Sequence, residues 1–412
     1  MPERTDAWRA AGLWALGVLK EILGEQWPGE TSADRRGNAW APADLCGAHS
    51  HTRHYARLLE LALWLDGLSS EPGMARVRNA LRDDRAPGRW EHTRLQLEIA
   101  GLAKAASASV AFEGAGVAGR AERESWPADV EVAAGGRRLA IETFAVLPSD
   151  DWLAKVKRTD AIQARLRALE HRYQVACNID FGGESLEEED ALERFFVQIE
   201  YGAAIVAAGA ERHTAREGRA VAHVGRGIPS GLFGPPIAME NAWGRVAARL
   251  SRKQAQVGER QDAVWLRVDL LEGIWQFTHW SQAPLRTKLE LIAPQIEEAL
   301  GGSATAIAGV VVSSGSAWAQ SRFEADDVVV LGGRRALRRL IAPIRVRETL
   351  VIPLRGDAVD DAVWLAGLYA DEPAWLPGAL ERSRLPSLAK IFPPDQEMPI
   401  IAFGPAQSWK RV

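Results

Sequence analysis

SWPADVEVAAGGRRLAIETFAV, residues 125–146, is the stretch that decides the fold of this chain. Its two apolar runs alternate with period two on either side of Gly135-Gly136, which predicts a β-hairpin with one buried face. Each predicted strand carries a carboxylate on the side opposite its apolar residues, Asp129 on the first and Glu142 on the second. A carboxylate in apolar surroundings is costly to bury alone, so the two acids are predicted to share a divalent cation.

The segments around the hairpin predict the order of the neighbouring elements. Residues 90–106 have helical apolar spacing and carry Glu98, and residues 109–113 are typical of a strand. After the hairpin, residues 152–172 predict a helix rich in cationic side chains, and residues 174–181 predict a further strand. The sequence therefore predicts an α/β chain with the order helix, three strands, helix, strand.

The motif and this order resemble the PD-(D/E)XK, or restriction-endonuclease-like, superfamily. Pro-Ala-Asp is followed, after twelve intervening residues, by the apolar-flanked Glu142. The resemblance implies a mixed central sheet flanked by helices and Mg²⁺ or Mn²⁺ bound by Asp129 and Glu142. It also implies that Glu98 matches the acidic residue of the first helix and supports the metal or its waters. The implied function is hydrolysis of phosphodiester bonds in DNA or RNA, with DNA favoured, in a bacterial defence or repair context.

The chain departs from the family motif at the lysine. Phe144 stands two positions after Glu142, and it cannot orient an attacking water or offset charge on a phosphate. By resemblance, another lysine supplies this role. The candidates are Lys155, Lys157 and Lys253. Lys253 is favoured because residues 245–270 predict a helix followed by a strand, although each of these lysines also fits an ordinary solvated position on a basic helix.

Four further side chains are predicted to contact the nucleic acid. Gln254 and Gln256 follow the favoured lysine and suit contact with a phosphate or a metal-bound water, and Arg158 and Arg165 lie on the predicted basic helix. Clustered arginines of this kind hold phosphates in a channel. Ordinary surface arginine explains them equally well.

Two other functions remain open at this point. The first is a catalytically silent module of the same fold that binds nucleic acid or a protein partner. The second is an unrelated α/β enzyme acting on a small molecule. The chain lacks a P-loop, a GxGxxG fingerprint after a strand, a GxSxG elbow and an HExxH helix, which argues against the common nucleotide, lipase and zincin chemistries.

Composition places the chain among ordinary globular proteins. It has 412 residues, of which 47% are hydrophobic and 25% charged, and its net charge of −4 argues against a protein that coats nucleic acid generally. No apolar run is long enough to span a bilayer, and the N-terminus lacks a signal-peptide core, so a cytoplasmic protein without membrane contact is predicted. Homo-oligomerisation is left open.

Changes in pattern along the chain predict four regions. They are an α-helical N-terminal region at 1–86, a PD-(D/E)XK-like core at 87–216, an α/β extension of helix-strand units at 217–350, and a C-terminal tail at 351–412 that packs on the core.

Overall fold

The computed structural model shows a mixed α/β protein. It describes residues 6–24, 52–82, 89–112, 128–146, 150–182, 189–228, 230–233, 242–257, 264–270, 284–300, 307–314, 317–318, 327–341 and 345–392. The described residues fall into two compact units, one within 1–147, 241–275 and 279–399 and the other within 148–240. No helix in these ranges is both long enough and apolar enough to cross a membrane.

Strands and helices are numbered along the chain. The strands are β1 (Ser109–Phe112), β2 (Val130–Ala134), β3 (Arg137–Val146), β4 (Ala176–Asp180), β5 (Arg212–Glu217), β6 (Ala220–Gly225), β7 (Gly231–Phe233), β8 (Val264–Leu270), β9 (Ile307–Ser314), β10 (Ala317–Trp318), β11 (Asp327–Leu331), β12 (Arg334–Ile341) and β13 (Arg345–Pro353). The helices are α1 (Asp6–Leu23), α2 (Thr52–Gly67), α3 (Met74–Arg82), α4 (Arg89–Ala105), α5 (Asp150–Tyr173), α6 (Glu189–Ala207), α7 (Ala242–Val257), α8 (Leu285–Ala299), α9 (Val359–Ala370), α10 (Glu372–Arg382) and α11 (Leu388–Ile391).

A nine-stranded mixed sheet forms the centre of the first unit. Its order is β1-β2-β3-β8-β9-β13-β12-β11, with β10 paired to β13. Strands β3, β8 and β9 run parallel to one another, and the strands on either side of them are antiparallel. Most residues of the three parallel strands are apolar, as expected for central strands that are buried on both faces.

The predicted hairpin is confirmed. Strands β2 and β3 pair antiparallel, with Val130 opposite Ile141. Gly135 and Gly136 connect them with φ of +54° and +80°, the positive values that a two-residue type I′ turn requires. Glycine adopts these angles without a steric cost, and the turn therefore fixes the register of the two strands.

Helices cover both faces of this sheet. Side chains alternate along β3, so that Leu139 and Ile141 join a core shared with α1, α2, α4, α9 and α10. Ala140 and Phe144 join a second core, which is shared with α7 and α8. We call these the α4 face and the α7 face of the sheet.

The predicted order of elements is present, although the last strand lies in a different sheet. Helix α4 is followed by β1, β2, β3, α5 and β4, which matches the sequence prediction. Strand β4, however, belongs to the smaller sheet of the second unit, and the strand beside β3 in the large sheet is β8. In chain order, α5 to β7 is thus an insertion between β3 and the α7–β8 segment that returns to the sheet. An apolar run predicts a strand but does not specify its sheet.

The second unit has its own sheet and its own core. The sheet order is β5-β6-β4-β7, and α5 and α6 supply most of the remaining apolar side chains of this core. Cys177 of β4 is a free thiol within it, and burial raises its pKa to about 12. Of the predicted 87–216 region, the described residues up to 146 belong to the first unit and those from 150 onward to the second.

A close contact between β8 and β9 gives a test of the packing of the large sheet. A Cβ on Gly309 would lie 2.4 Å from the Trp265 ring and 2.7 Å from the carbonyl oxygen of Ile352. Because that carbonyl is backbone, Gly309→Ala is expected to lower the free energy of unfolding by about 1–3 kcal/mol, measured by denaturant titration.

Gly367 of α9 provides the matched control, since no atom lies within 4 Å of its added Cβ. Gly367→Ala should leave the free energy of unfolding unchanged or raise it by up to about 1 kcal/mol. Equal stability of the Gly309→Ala variant and the wild type would contradict this account of the packing.

Candidate functional site

Asp129 is held at the point where β2 begins. Its Oδ2 accepts hydrogen bonds from the backbone N–H of Thr143, at 2.7 Å, and from the Thr143 hydroxyl, at 3.0 Å. Strand β2 begins one residue later, at Val130. At Asp129 the side-chain carboxylate therefore accepts the hydrogen bond of the Thr143 N–H, in the place of a backbone carbonyl of the strand. The side chain is half-buried. The two donors of Thr143 fix its position relative to β3.

Glu142 lies next to this anchor and is paired with the favoured lysine. The Nζ of Lys253 on α7 lies 2.7 Å from Glu142 Oε2. The Glu142 side chain is 4% exposed and that of Lys253 is 21% exposed, so the pair is largely buried and open on the side of the lysine. Lys253, the lysine that the sequence favoured, is thus brought to Glu142.

The register of the hairpin places Glu142 on the α7 face. Val130 pairs with Ile141, and both side chains belong to the core on the α4 face. Glu142 is the next residue along β3, so side-chain alternation turns it to the other face. Asp129 precedes β2, and its carboxylate is held by Thr143, whose side chain alternates to the α4 face. The convergence of the two carboxylates on one cation stays a prediction.

Phe144 stands where the motif of the superfamily that the sequence resembles has its lysine. It is 1% exposed and packs in the core of the α7 face, on the same side of β3 as Glu142. The position of the family's lysine is therefore filled by a core residue. Helix α7 covers the same face, buries Val246 and Leu250 there, and presents Lys253 seven positions after Val246, two helical turns along the same side.

His92 is a site residue that the sequence analysis missed. It lies in the first turn of α4, and its Nδ1 is 3.2 Å from the carbonyl oxygen of Thr143. Its pKa is below the ordinary value, chiefly because burial disfavours the imidazolium; Lys253 and Arg249 act in the same direction and Asp129 opposes them. No motif in the sequence marks this histidine, because its neighbours come from β3 and α7.

Glu98 is not brought to this site. It is fully buried on the α4 face, where Oε1 lies 2.6 Å from Arg267 and Oε2 lies 2.7 Å from Arg347 and 3.2 Å from Arg94. Glu142 projects from the opposite face of the sheet. Three guanidinium groups contact its carboxylate in a buried ion-pair cluster, and the predicted role of Glu98 at the metal stays a prediction.

The predicted nucleic-acid contacts have different outcomes. Gln254 is half-buried on α7 beside Lys253, and the side chain of Gln256 lies outside the described residues. Arg165 of α5 pairs with both carboxylate oxygens of Glu193 and lies 4.2 Å from the centre of the Phe196 ring. Its guanidinium thus joins α5 to α6, a structural role that the sequence did not predict.

The remaining predicted side chains lie on α5 as well. Lys155 and Lys157 belong to this helix, but their side chains are outside the described residues. Arg158 is half-buried in the second unit. Their predicted roles stay predictions.

The donor set fits a hard divalent cation. Among the described residues, no group of three or more His, Cys, Asp or Glu side chains is arranged to hold a metal ion. Mg²⁺ usually takes only one or two protein carboxylates and keeps several waters, so it does not require a group of three protein ligands. The chemistry of Asp129 and Glu142 therefore suits Mg²⁺ or Mn²⁺ better than a metal that needs a full protein cage.

Comparison of the chain with family models, with curated proteins and with solved structures finds no match. The functional assignment therefore rests on the geometry of the site and on the motif.

Proposed function

We propose that this chain is a metal-dependent nuclease with a restriction-endonuclease-like core, which hydrolyses phosphodiester bonds in nucleic acid, with DNA favoured over RNA. One observation carries the proposal: Lys253 lies 2.7 Å from Glu142, beside the anchored carboxylate of Asp129. Two acids and a lysine are the components of the PD-(D/E)XK motif. The order of α4, β1, β2, β3, α7 and β8 also agrees with the core order of that superfamily.

Each side chain has a separate task in this proposal. Asp129 and Glu142 bind Mg²⁺ or Mn²⁺ through their carboxylate oxygens, and Thr143 keeps Asp129 in place through two hydrogen bonds. Lys253 donates from its ammonium group to the attacking water and offsets negative charge on the phosphate. When bound, the cation supplies Lewis-acid stabilisation of the charge that develops on the phosphate and on the leaving oxygen.

The ion pair of Lys253 with Glu142 also fits a second function. Lys253 neutralises Glu142 without any metal, and a pair of this kind would also persist in a catalytically silent module that only binds nucleic acid or a protein partner. The two functions differ in one measurable respect, namely whether the protein cleaves a phosphodiester bond when Mg²⁺ or Mn²⁺ is added.

Replacing the lysine tests the proposal. Lys253→Met is expected to lower the rate of Mg²⁺-dependent cleavage about 10²–10³-fold, since one preorganised charge at the reacting phosphate is removed. The assay uses supercoiled plasmid, linear duplex and single strands with Mg²⁺, Mn²⁺ or EDTA. Thermal unfolding of the same samples with Mg²⁺ shows whether the variant remains folded.

Lys104→Met is the control for this assay. Lys104 forms an ion pair of the same length, 2.7 Å, with Glu71 at the other end of α4, and its loss should leave cleavage unchanged. A wild type that binds nucleic acid but cleaves none of these substrates with either metal would favour the silent module. An active enzyme whose rate is insensitive to Lys253→Met would show that the lysine has no part in the chemistry.

A further inference from the structure

Helix α7 carries two exposed arginines just before Lys253 in the sequence. Arg249 and Arg252 are both exposed, whereas Lys253 is largely buried against Glu142. Residues three and four positions apart share a side of a helix, so Arg249 lies one turn from both Arg252 and Lys253. The two arginines therefore border the site on its solvent side.

The electrostatics of the site place Arg249 close to it. Burial is the chief cause that lowers the pKa of His92, Asp129 opposes it, and the charges of Lys253 and Arg249 add to it. Arg249 lies one helical turn before Lys253, whose Nζ is 2.7 Å from Glu142. The two observations agree in placing Arg249 near the site.

The charge of these two arginines is not compensated by a described carboxylate. Of the described carboxylates, none forms an ion pair with Arg249 or Arg252. Several other arginines of this unit do form such pairs, for example Arg334 with Glu297 and Arg338 with Glu348. Two exposed cations without a described counter-ion, next to a site built for a phosphodiester, are complementary in charge to a polyanion.

We infer that Arg249 and Arg252 bind the backbone phosphates that flank the scissile bond of a DNA strand. This inference rests on the proposed function, because it takes the acidic pair as the place where the strand is cut. The contacts are independent of base sequence, since arginine meets only phosphate oxygens here. They explain how a chain with a net charge of −4 engages a polyanion through one local surface.

The test is a salt-dependent binding titration of the full-length protein. The double variant Arg249→Gln/Arg252→Gln is compared with wild type for a fluorescent 20-base-pair duplex in EDTA, where no cleavage complicates the measurement. At about 0.1 M salt the Kd is expected to rise on the order of tenfold. The slope of log K against log salt should become shallower by about 1.8, that is, by about 0.9 for each phosphate that the protein no longer neutralises.

Arg9→Gln is the matched control, since Arg9 is an exposed arginine of α1 that pairs with Asp6 at 3.6 Å. It should leave both Kd and slope unchanged. A wild type that does not bind the duplex at low salt, or a double variant with the wild-type slope, would overturn the inference. Binding that depends on the two arginines in a protein that never cleaves DNA would overturn the nuclease proposal and, with it, the placement of these contacts beside a scissile bond, and would leave a module that only binds DNA.

Discussion

If the chain is the proposed nuclease, Glu142→Gln is expected to lower Mg²⁺-dependent DNA cleavage about 10²–10³-fold, since the substitution removes one of the two carboxylates proposed to hold the cation. Glutamine has nearly the same shape as glutamate, so the packing of β3 should persist. The rate is measured by single-turnover cleavage of a linear duplex. Asp129→Asn should have an effect of the same size, and asparagine can still accept the hydrogen bond from the Thr143 N–H.

Glu131→Gln distinguishes this effect from a general loss of acidic charge. Glu131 is a buried carboxylate of β2, and its pairing with Ala140 places it on the same face of the hairpin. Cleavage by this variant should remain close to that of wild type. If Glu142→Gln retains wild-type activity with either metal, Glu142 does not bind the catalytic cation.

The second large effect is expected on stability rather than activity. Glu98→Gln should lower the free energy of unfolding by about 3–5 kcal/mol, because it leaves buried guanidinium groups without their shared counter-ion. Arg267 is 1% exposed, and Arg347, which also contacts Glu372 at 3.3 Å, is 4% exposed, so water cannot replace the missing carboxylate. The measurement is denaturant unfolding at pH 7.

The effect of Glu98→Gln on the free energy of unfolding is also expected to depend on pH. Burial raises the pKa of Glu98, but the charges of Arg347, Arg267 and Arg94 outweigh it and hold the pKa well below its usual range. A depressed pKa contributes stability that is fully present above the unfolded value of about 4.3 and is lost as pH falls through the folded value. The stability difference between wild type and Glu98→Gln should therefore shrink below about pH 5.

Glu290→Gln is the control for both stability measurements. Glu290 of α8 is an exposed partner of Arg286, at 3.7 Å, and surface pairs of this kind contribute little. Its loss should change the free energy of unfolding by less than about 0.5 kcal/mol at any of these pH values. Equal stability of Glu98→Gln and wild type at pH 7 would contradict the structural role of the cluster.

The sequence predicted those features that depend on near neighbours. Period-two alternation and Gly135-Gly136 specify the hairpin, because strand faces and turn conformation are local properties. The same alternation places Glu142 on the face opposite Leu139 and Ile141. Lys253 was found by its position on a predicted helix followed by a strand, and the crossover from β3 through α7 to β8 places that helix over Glu142.

The features that the sequence did not predict depend on distant partners. The ion-pair partners of Glu98 include Arg267 and Arg347, on strands far along the chain, and helical spacing alone could not separate such a residue from a metal ligand. Strand β4 has the same apolar pattern as a strand of the large sheet, yet it pairs with β6 and β7. His92 lacks a signal for the same reason, since its neighbour Thr143 lies 51 residues away.

A crystal structure of the full chain soaked in Mn²⁺, with anomalous data, tests the central claim most directly. The account predicts an anomalous peak from a Mn²⁺ ion that both Asp129 and Glu142 bind, with the Lys253 ammonium close to a water of that ion. It would be contradicted by a protein saturated with Mn²⁺ that shows no peak at these carboxylates, with Lys253 still bonded to Glu142 as its counter-ion.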